Sequence, residues 1–86
     1  MLDEKKKAEF KAKFGKRLGQ IKKSKKLSYR TIAKNCDLDS SFISKIEKGT
    51  ENITLETILN LLYGLDVQPN ELFDFSIELN KDDIRK

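Results

Sequence analysis

The chain has no histidine and a single cysteine, Cys36, among its 86 residues. A lone cysteine forms no internal disulfide, and without histidine a structural zinc site lacks its usual ligands. Acid–base or triad chemistry would have to run on lysines and carboxylates tuned far from their ordinary range. No apolar run approaches the roughly 20 residues that cross a bilayer. The N-terminus is charged, with no apolar stretch behind it, unlike a secretory signal. Strand-like alternation and internal repeats are missing too. These absences point away from an enzyme, a metalloprotein and a membrane protein. No cofactor or metal is expected, and a bacterial cytoplasm is the simplest location.

Charge is what the chain has in quantity. Charged and hydrophobic residues each make up 37% of it, which fits one globular domain with a modest core and a heavily charged surface. The net charge of +4 hides a division. Residues 1–50 hold 15 Lys/Arg against 6 Asp/Glu, a net of +9, whereas residues 51–86 hold 3 against 8, a net of −5. A phosphate-rich partner is drawn to the first half and repelled by the second. Charge alone does not separate this from a solvated, lysine-rich surface.

Hydrophobic spacing predicts an all-α fold of five helices, with a domain over residues 8–77 between a flexible basic N-terminus, 1–7, and a flexible charged tail, 78–86. Phe10, Phe14, Leu18 and Ile21 recur at three and four, giving a helix over 8–23 in which Gly15 and Gly19 permit close packing. The Ser24-Lys25-Lys26 loop that follows meets a DNA backbone or water. Leu27 to Gly49 reads as two short amphipathic helices joined by a tight turn. Ser28 caps the first, and Ile32, Ala33 and Cys36 share its inner face. Asp37-Leu38-Asp39 interrupts the pattern, and Asp39 is placed to cap the second helix. There Ile43 and Ile46 point inward, while Ser40, Ser41, Ser44 and Lys45 point out. Gly49 ends it in the left-handed conformation. Thr54 caps a fourth helix over 55–63, with Gly64 as its terminator, and Pro69 precedes or opens a fifth over 70–75. The expected core is Leu18, Ile21, Leu27, Ile32, Ala33, Leu38, Ile43, Ile46, Ile53, Leu55, Ile58, Leu62, Val67 and Leu72.

The stretch resembles the helix-turn-helix of the Cro/repressor (Xre) family of bacterial and phage regulators. The marks are Leu27-Ser28, Ile32-Ala33, Leu38, Phe42-Ile43-Ser44 and Ile46-Glu47-Lys48-Gly49, flanked by Gly15-Lys16-Arg17-Leu18 and Glu71-Leu72-Phe73. The resemblance implies a five-helix, lambda-repressor-like DNA-binding domain whose second motif helix enters a major groove. It also implies that Ser40, Ser41 and Ser44 face bases and that Glu47 pairs with Lys22, where the family usually has arginine. At the position of Tyr29 the family commonly has a glutamine that clamps a phosphate, and at Asp37 its turn usually has glycine. Aspartate tolerates the left-handed conformation that such a turn would demand.

The residue types agree with such a role. Serine hydroxyls donate and accept, so they can meet base edges or phosphates, with capping as the alternative for Ser40. Lys45 can donate to guanine or to phosphate. Phe42 packs on a thymine methyl or the sugar-phosphate wall, or is a half-buried anchor. Arg17, Arg30, Lys48, Thr50 and Asn52 are further phosphate candidates, and Arg30 with Lys34 can equally be solvated charge. Ser41 and Lys45 stand one turn apart like a Ser–Lys dyad, but nothing suggests an oxyanion hole. Asp82-Asp83 reads as a solvated doublet.

A single small motif contacts few base pairs, so specific binding takes two copies on half-sites about 34–36 Å apart. Leu59, Tyr63, Leu72, Phe73, Phe75 and Ile77 offer an isologous homodimer surface, or else close the monomer core. The expected function is sequence-specific binding of double-stranded DNA, as a homodimeric repressor or controller on a palindromic operator. Family members of this length include controller proteins of restriction–modification systems and small phage repressors. The alternative is an antitoxin-type module that covers a toxin partner.

Overall fold

The structure, a computed structural model, describes residues 1–84. Five helices follow one another in the described chain: α1, Glu4–Ser24; α2, Tyr29–Lys34; α3, Ser40–Glu47; α4, Leu55–Leu65; and α5, Pro69–Leu72. A short 3-10 turn, Lys81–Asp83, comes last. The all-α expectation holds.

Local chemistry sets most of the boundaries. Ser28 and Thr54 each accept from the backbone N–H three residues on, at 3.1 Å, and so open α2 and α4. Pro69 is the first residue of α5, where its fixed φ suits the helix and its missing N–H is no loss. Gly49 ends α3 at φ +79°. Three boundaries differ from those that spacing predicts. First, α1 begins at Glu4 rather than Ala8, because Asp3 accepts from the Lys5 N–H and Glu4 favours the positive end of the helix dipole. Second, α4 runs through Gly64 to Leu65, and its terminator is Asp66 at φ +56°. Third, α5 stops at Leu72, and the chain beyond it turns at Phe73 and is irregular up to Lys81.

The core gathers on Leu18, Ile32, Ile43, Leu61, Leu65 and Leu72, all fully buried, with Phe14, Ile21, Ile46 and Val67 around them. Burying each large aliphatic side chain contributes about 1.5–3 kcal/mol. Of the expected core, Leu27, Ala33, Leu38, Ile53, Ile58 and Leu62 sit at its edge, partly buried. Leu55 is not in it: that side chain is 84% exposed. Phe14, Leu61 and Leu65 take the inner positions instead. Leu55, Leu59 and Tyr63 follow one another four residues apart, on a different face of α4 from the buried Leu61 and Leu65. The helix is therefore apolar on two sides and buries one.

Helices α2 and α3 pack on each other, α1 braces α3, and α4 supports α2. The approach of α1 to α3 is very close. A Cβ on Gly15 would lie 2.7 Å from the Ile46 carbonyl oxygen and against that of Glu47, so only glycine fits there. Gly64 has a similar place beneath Ile32, where a Cβ would fall 2.7 Å from its side chain, and this is why it lies within α4 rather than ending it.

Beyond α5 the chain folds back along α1. Phe73 and Phe75 stack on Phe14 and Phe10, with centroids 5.3 and 5.8 Å apart. Lys6, Lys13 and Arg17 donate to the backbone carbonyls of Glu78, Ser76 and Glu71 at 2.5, 2.6 and 2.7 Å. Asp3 N–H reaches the Asp83 carbonyl at 2.7 Å, and Leu2 bridges Ile84. The two ends that composition sets aside as flexible therefore contact each other as far as residue 84. Arg85 and Lys86, the last of the expected tail, lie outside the described residues.

Candidate nucleic-acid interface

Helix α3 is held by its two isoleucines. Ile43 is fully buried and Ile46 nearly so, and they face α1 and α2. That leaves Ser41 and Lys45 exposed on the opposite face, one turn apart, with Ser40, Phe42 and Ser44 half-buried beside them. Phe42 packs against the core, as an anchor does. Arg30, Lys34, Lys45 and Lys48 are exposed and make no ion pair among the described residues. The result is a protruding helix with hydroxyls and one ammonium on its outer face, ringed by solvated cations.

The turn into α3 is built differently from the expectation. Asp37 does not take a positive φ. Its N–H donates instead to Asn60 Oδ1 on α4, at 2.8 Å, so a side chain from another helix holds the turn without backbone strain. Asn60 is a functional support that local spacing had no way to reveal. Asp39 occupies the N-cap position, but its carboxylate makes no capping bond to an α3 N–H. It accepts from the Ser41 hydroxyl at 2.9 Å.

Tyr29 and Glu47 form the joint between α2 and α3. The phenol donates to Glu47 Oε1 at 2.8 Å. Lys22 Nζ comes within 3.9 Å of the same oxygen and lies 4.6 Å over the phenol ring. Lys22 and Glu47 are thus brought together, at the outer limit of an ion pair, with Tyr29 making the shorter bond. The carboxylate raises the Tyr29 pKa above its ordinary value, chiefly through that hydrogen bond and then through burial, while the Ser44 hydroxyl opposes the rise. Gly19 makes room for the carboxylate, since a Cβ there would stand 2.8 Å from Glu47 Oε2.

Several phosphate candidates are turned to other work. Tyr29 has one hydroxyl proton to donate, and it is donated to Glu47. Arg17 points to α5, with Nε on the Glu71 carbonyl and Nη2 4.0 Å from Asp74. Thr50 Oγ1 bonds the Lys45 carbonyl at 3.1 Å and so closes the end of α3. Asn52 is exposed, in a groove beside Phe10 and Lys11. Arg30 and Lys48 stay on the surface, exposed.

The proposed dimer residues divide in the same way. Leu72 is 0% exposed, and Phe73 and Phe75 are packed on α1, so these three close the monomer. Ile77 is half-buried in the groove with Leu2, Phe10 and Leu79. Leu59, 53% exposed, and Tyr63, 69% exposed, remain open, and Leu55 joins them.

Two short helices at this spacing, the second presented outward on a bed of three others, define a helix-turn-helix unit. The pattern described as "Helix-turn-helix domain" matches residues 13–74, and the chain belongs to that family. Within it, the chain is 42% identical over 64 residues to Control protein C.BamHI of Bacillus amyloliquefaciens, covering 73% of this chain and 79% of that one. Control protein C.MunI of a Mycoplasma species is 35% identical over 66 residues, covering 76% and 89%. Among solved structures, the restriction–modification controller protein C.AhdI of Aeromonas hydrophila superposes with a TM-score of 0.69 at 41% identity, over 73% of this chain and 96% of its own. The controller C.Esp1396I, solved as a tetramer on its natural 35 base-pair operator, also gives 0.69, at 25% identity over 74% and 84%. The resemblance to Xre-type regulators read from the motif is borne out.

Proposed function

We propose that the chain is a sequence-specific DNA-binding transcriptional regulator of the controller type, acting as a homodimer on double-stranded operator DNA. The observation that carries this reading is the outer face of α3: exposed Ser41 and Lys45 over buried Ile43 and Ile46, with Arg30, Lys34 and Lys48 exposed around it. Its relatives are controllers, and one of them was solved on operator DNA. Ser40, Ser41, Ser44 and Lys45 are assigned to base edges, with Phe42 as their anchor. Arg30 and Lys48 are assigned to phosphates. Leu55, Leu59 and Tyr63 are assigned to the contact between subunits. No catalytic step is assigned to the chain, and it works beside DNA in the cytoplasm.

Base and phosphate roles are separable by experiment. Titrating labelled duplexes selected from a random pool, at several salt concentrations, measures both. Ser44→Ala is expected to relax sequence preference while non-specific affinity stays. Lys48→Ala is expected to weaken every sequence alike and to lower the salt slope by about one unit. Equal behaviour of the two variants sinks the assignment, and a wild-type chain that binds no duplex at low salt sinks the function.

A further inference from the structure

We propose that Asp39 is a specificity-determining residue, which with Ser41 selects the exocyclic amino group of a cytosine in the operator half-site. The inference rests on the DNA-binding reading and deepens it.

Asp39 stands where a capping residue belongs but does not cap. Its carboxylate holds the Ser41 hydroxyl at 2.9 Å. A carboxylate only accepts, so the serine is the donor and its single proton is committed inward. What this pair offers outward is therefore the free Asp39 oxygen and the lone pairs on both residues, acceptors without exception. Both side chains are exposed at the start of α3, and no lysine or arginine among the described residues pairs with Asp39. A bare carboxylate on a face that approaches a polyanion is repelled unless it meets a donor there.

The major groove provides few matching edges. Guanine shows N7 and O6, both acceptors, and thymine shows O4 and a methyl group. Adenine sets the N7 acceptor beside its N6 amino group. Cytosine presents its N4 donor at the end of the pair's pattern, with the O6 of its paired guanine on one side only, whereas adenine N6 lies between its own N7 and the paired thymine O4. An acceptor-only pair thus accepts best from cytosine, less well from adenine, whose N6 has acceptors on both sides, and is repelled by guanine and thymine. Lys45, one turn further along the same face and without an ion pair among the described residues, is the opposite case, a pure donor. The reading face is polarised along α3, and Asp39 sets the accepting end.

The test selects bound fragments from a random duplex pool at about 0.1 M salt, where surface charges are screened beyond about 10 Å. It uses the full chain, Asp39→Asn and Asp39→Ser. Both replacements are good helix caps, so α3 keeps its start, and circular dichroism verifies the fold. The wild type is expected to show one position per half-site with at least about tenfold preference for cytosine. Asparagine adds donors beside its acceptor, so Asp39→Asn is expected to lose the cytosine preference and admit adenine first, then guanine or thymine, at that position alone. Asp39→Ser is expected to flatten it. Variants that select the wild-type pattern unchanged overturn the inference and leave the function standing. So do variants that bind all sequences more tightly by one common factor, which would make the carboxylate a bare charge. A wild type that enriches no sequence overturns the DNA-binding reading itself, and the inference with it.

Discussion

The face carrying α3 and the face carrying α4 differ in what they leave uncovered. Around α3 the exposed groups are hydroxyls, cations and the carboxylates of Asp37 and Asp39, all well solvated when alone. Along α4 the exposed groups are Leu55, Leu59 and Tyr63, large apolar side chains spaced one turn apart. The first surface costs little in water and gains from a charged, hydrogen-bonding partner. The second gains from another apolar surface, which the proposed second copy of the chain would supply. The charge division follows the same line, because the basic half of the sequence carries α3 and the acidic half carries α4. On the proposed reading, one small domain keeps its nucleic-acid contacts and its protein contacts on different helices, joined through α2 and the shared core.

Removing the common support affects both faces most. Ile43→Ala opens a cavity where Ile43 is fully buried and is expected to cost about 2–5 kcal/mol, read as a lower urea midpoint. In a domain of this size that loss releases α3 as a presented helix, and duplex binding falls with stability. A variant with wild-type stability would mean that α3 is not pinned as described. Charging the apolar stripe affects one face alone. Leu59→Asp is expected to sediment as a monomer at micromolar concentration and to lose about a hundredfold in affinity for a two-half-site operator, while single half-site binding is unchanged. A dimer that survives this change moves the subunit contact elsewhere.

The smallest effect sharpens the joint behind α3. The Glu47 hydrogen bond and, after it, burial favour the protonated Tyr29 in the fold, so its folded pKa lies above its unfolded value. A group shifted in this direction contributes stability that is complete below the unfolded pKa and is lost as pH rises through the folded one. The window is alkaline, above about pH 10. In a Tyr63→Phe chain, phenolate absorbance reports Tyr29 alone, and its midpoint is expected above the ordinary value. Tyr29→Phe is expected to cost about 1 kcal/mol at neutral pH and to remove that alkaline decline. A midpoint at or below the ordinary value would break the joint as drawn.

Much of this was legible in one dimension. Ser28, Thr54, Gly49 and Pro69 mark element ends through chemistry that acts within a few residues, and all four do so in the fold. The inner face of α3 follows from Ile43 and Ile46 at helical spacing. What escaped is whatever depends on a partner distant in sequence. Helix α4 is apolar on both sides, and only the position of α2 decides that Leu61 and Leu65 turn in while Leu55 turns out. Gly64 looks like a stop until Ile32 is placed over it. Arg17 and Tyr29 look like free donors until the Glu71 carbonyl and Glu47 arrive from elsewhere in the chain. Asp39 escaped for a different, local reason: in a capping position it is read as a cap, and the bond that redirects its carboxylate is made by Ser41, two residues on.

The return of the chain along α1 has a consequence of its own. Lys6 and Lys13 grip the main-chain carbonyls of Glu78 and Ser76, which every residue type carries, so at those two exposed positions the returning segment is tethered by its backbone, while Phe75 and Ile77 hold it by their side chains. The side chains of Ser76 and Glu78 are free to be rewritten without loosening the attachment. In a chain of this length that makes those two positions a natural place to exchange recognition side chains while the reading helix stays as it is.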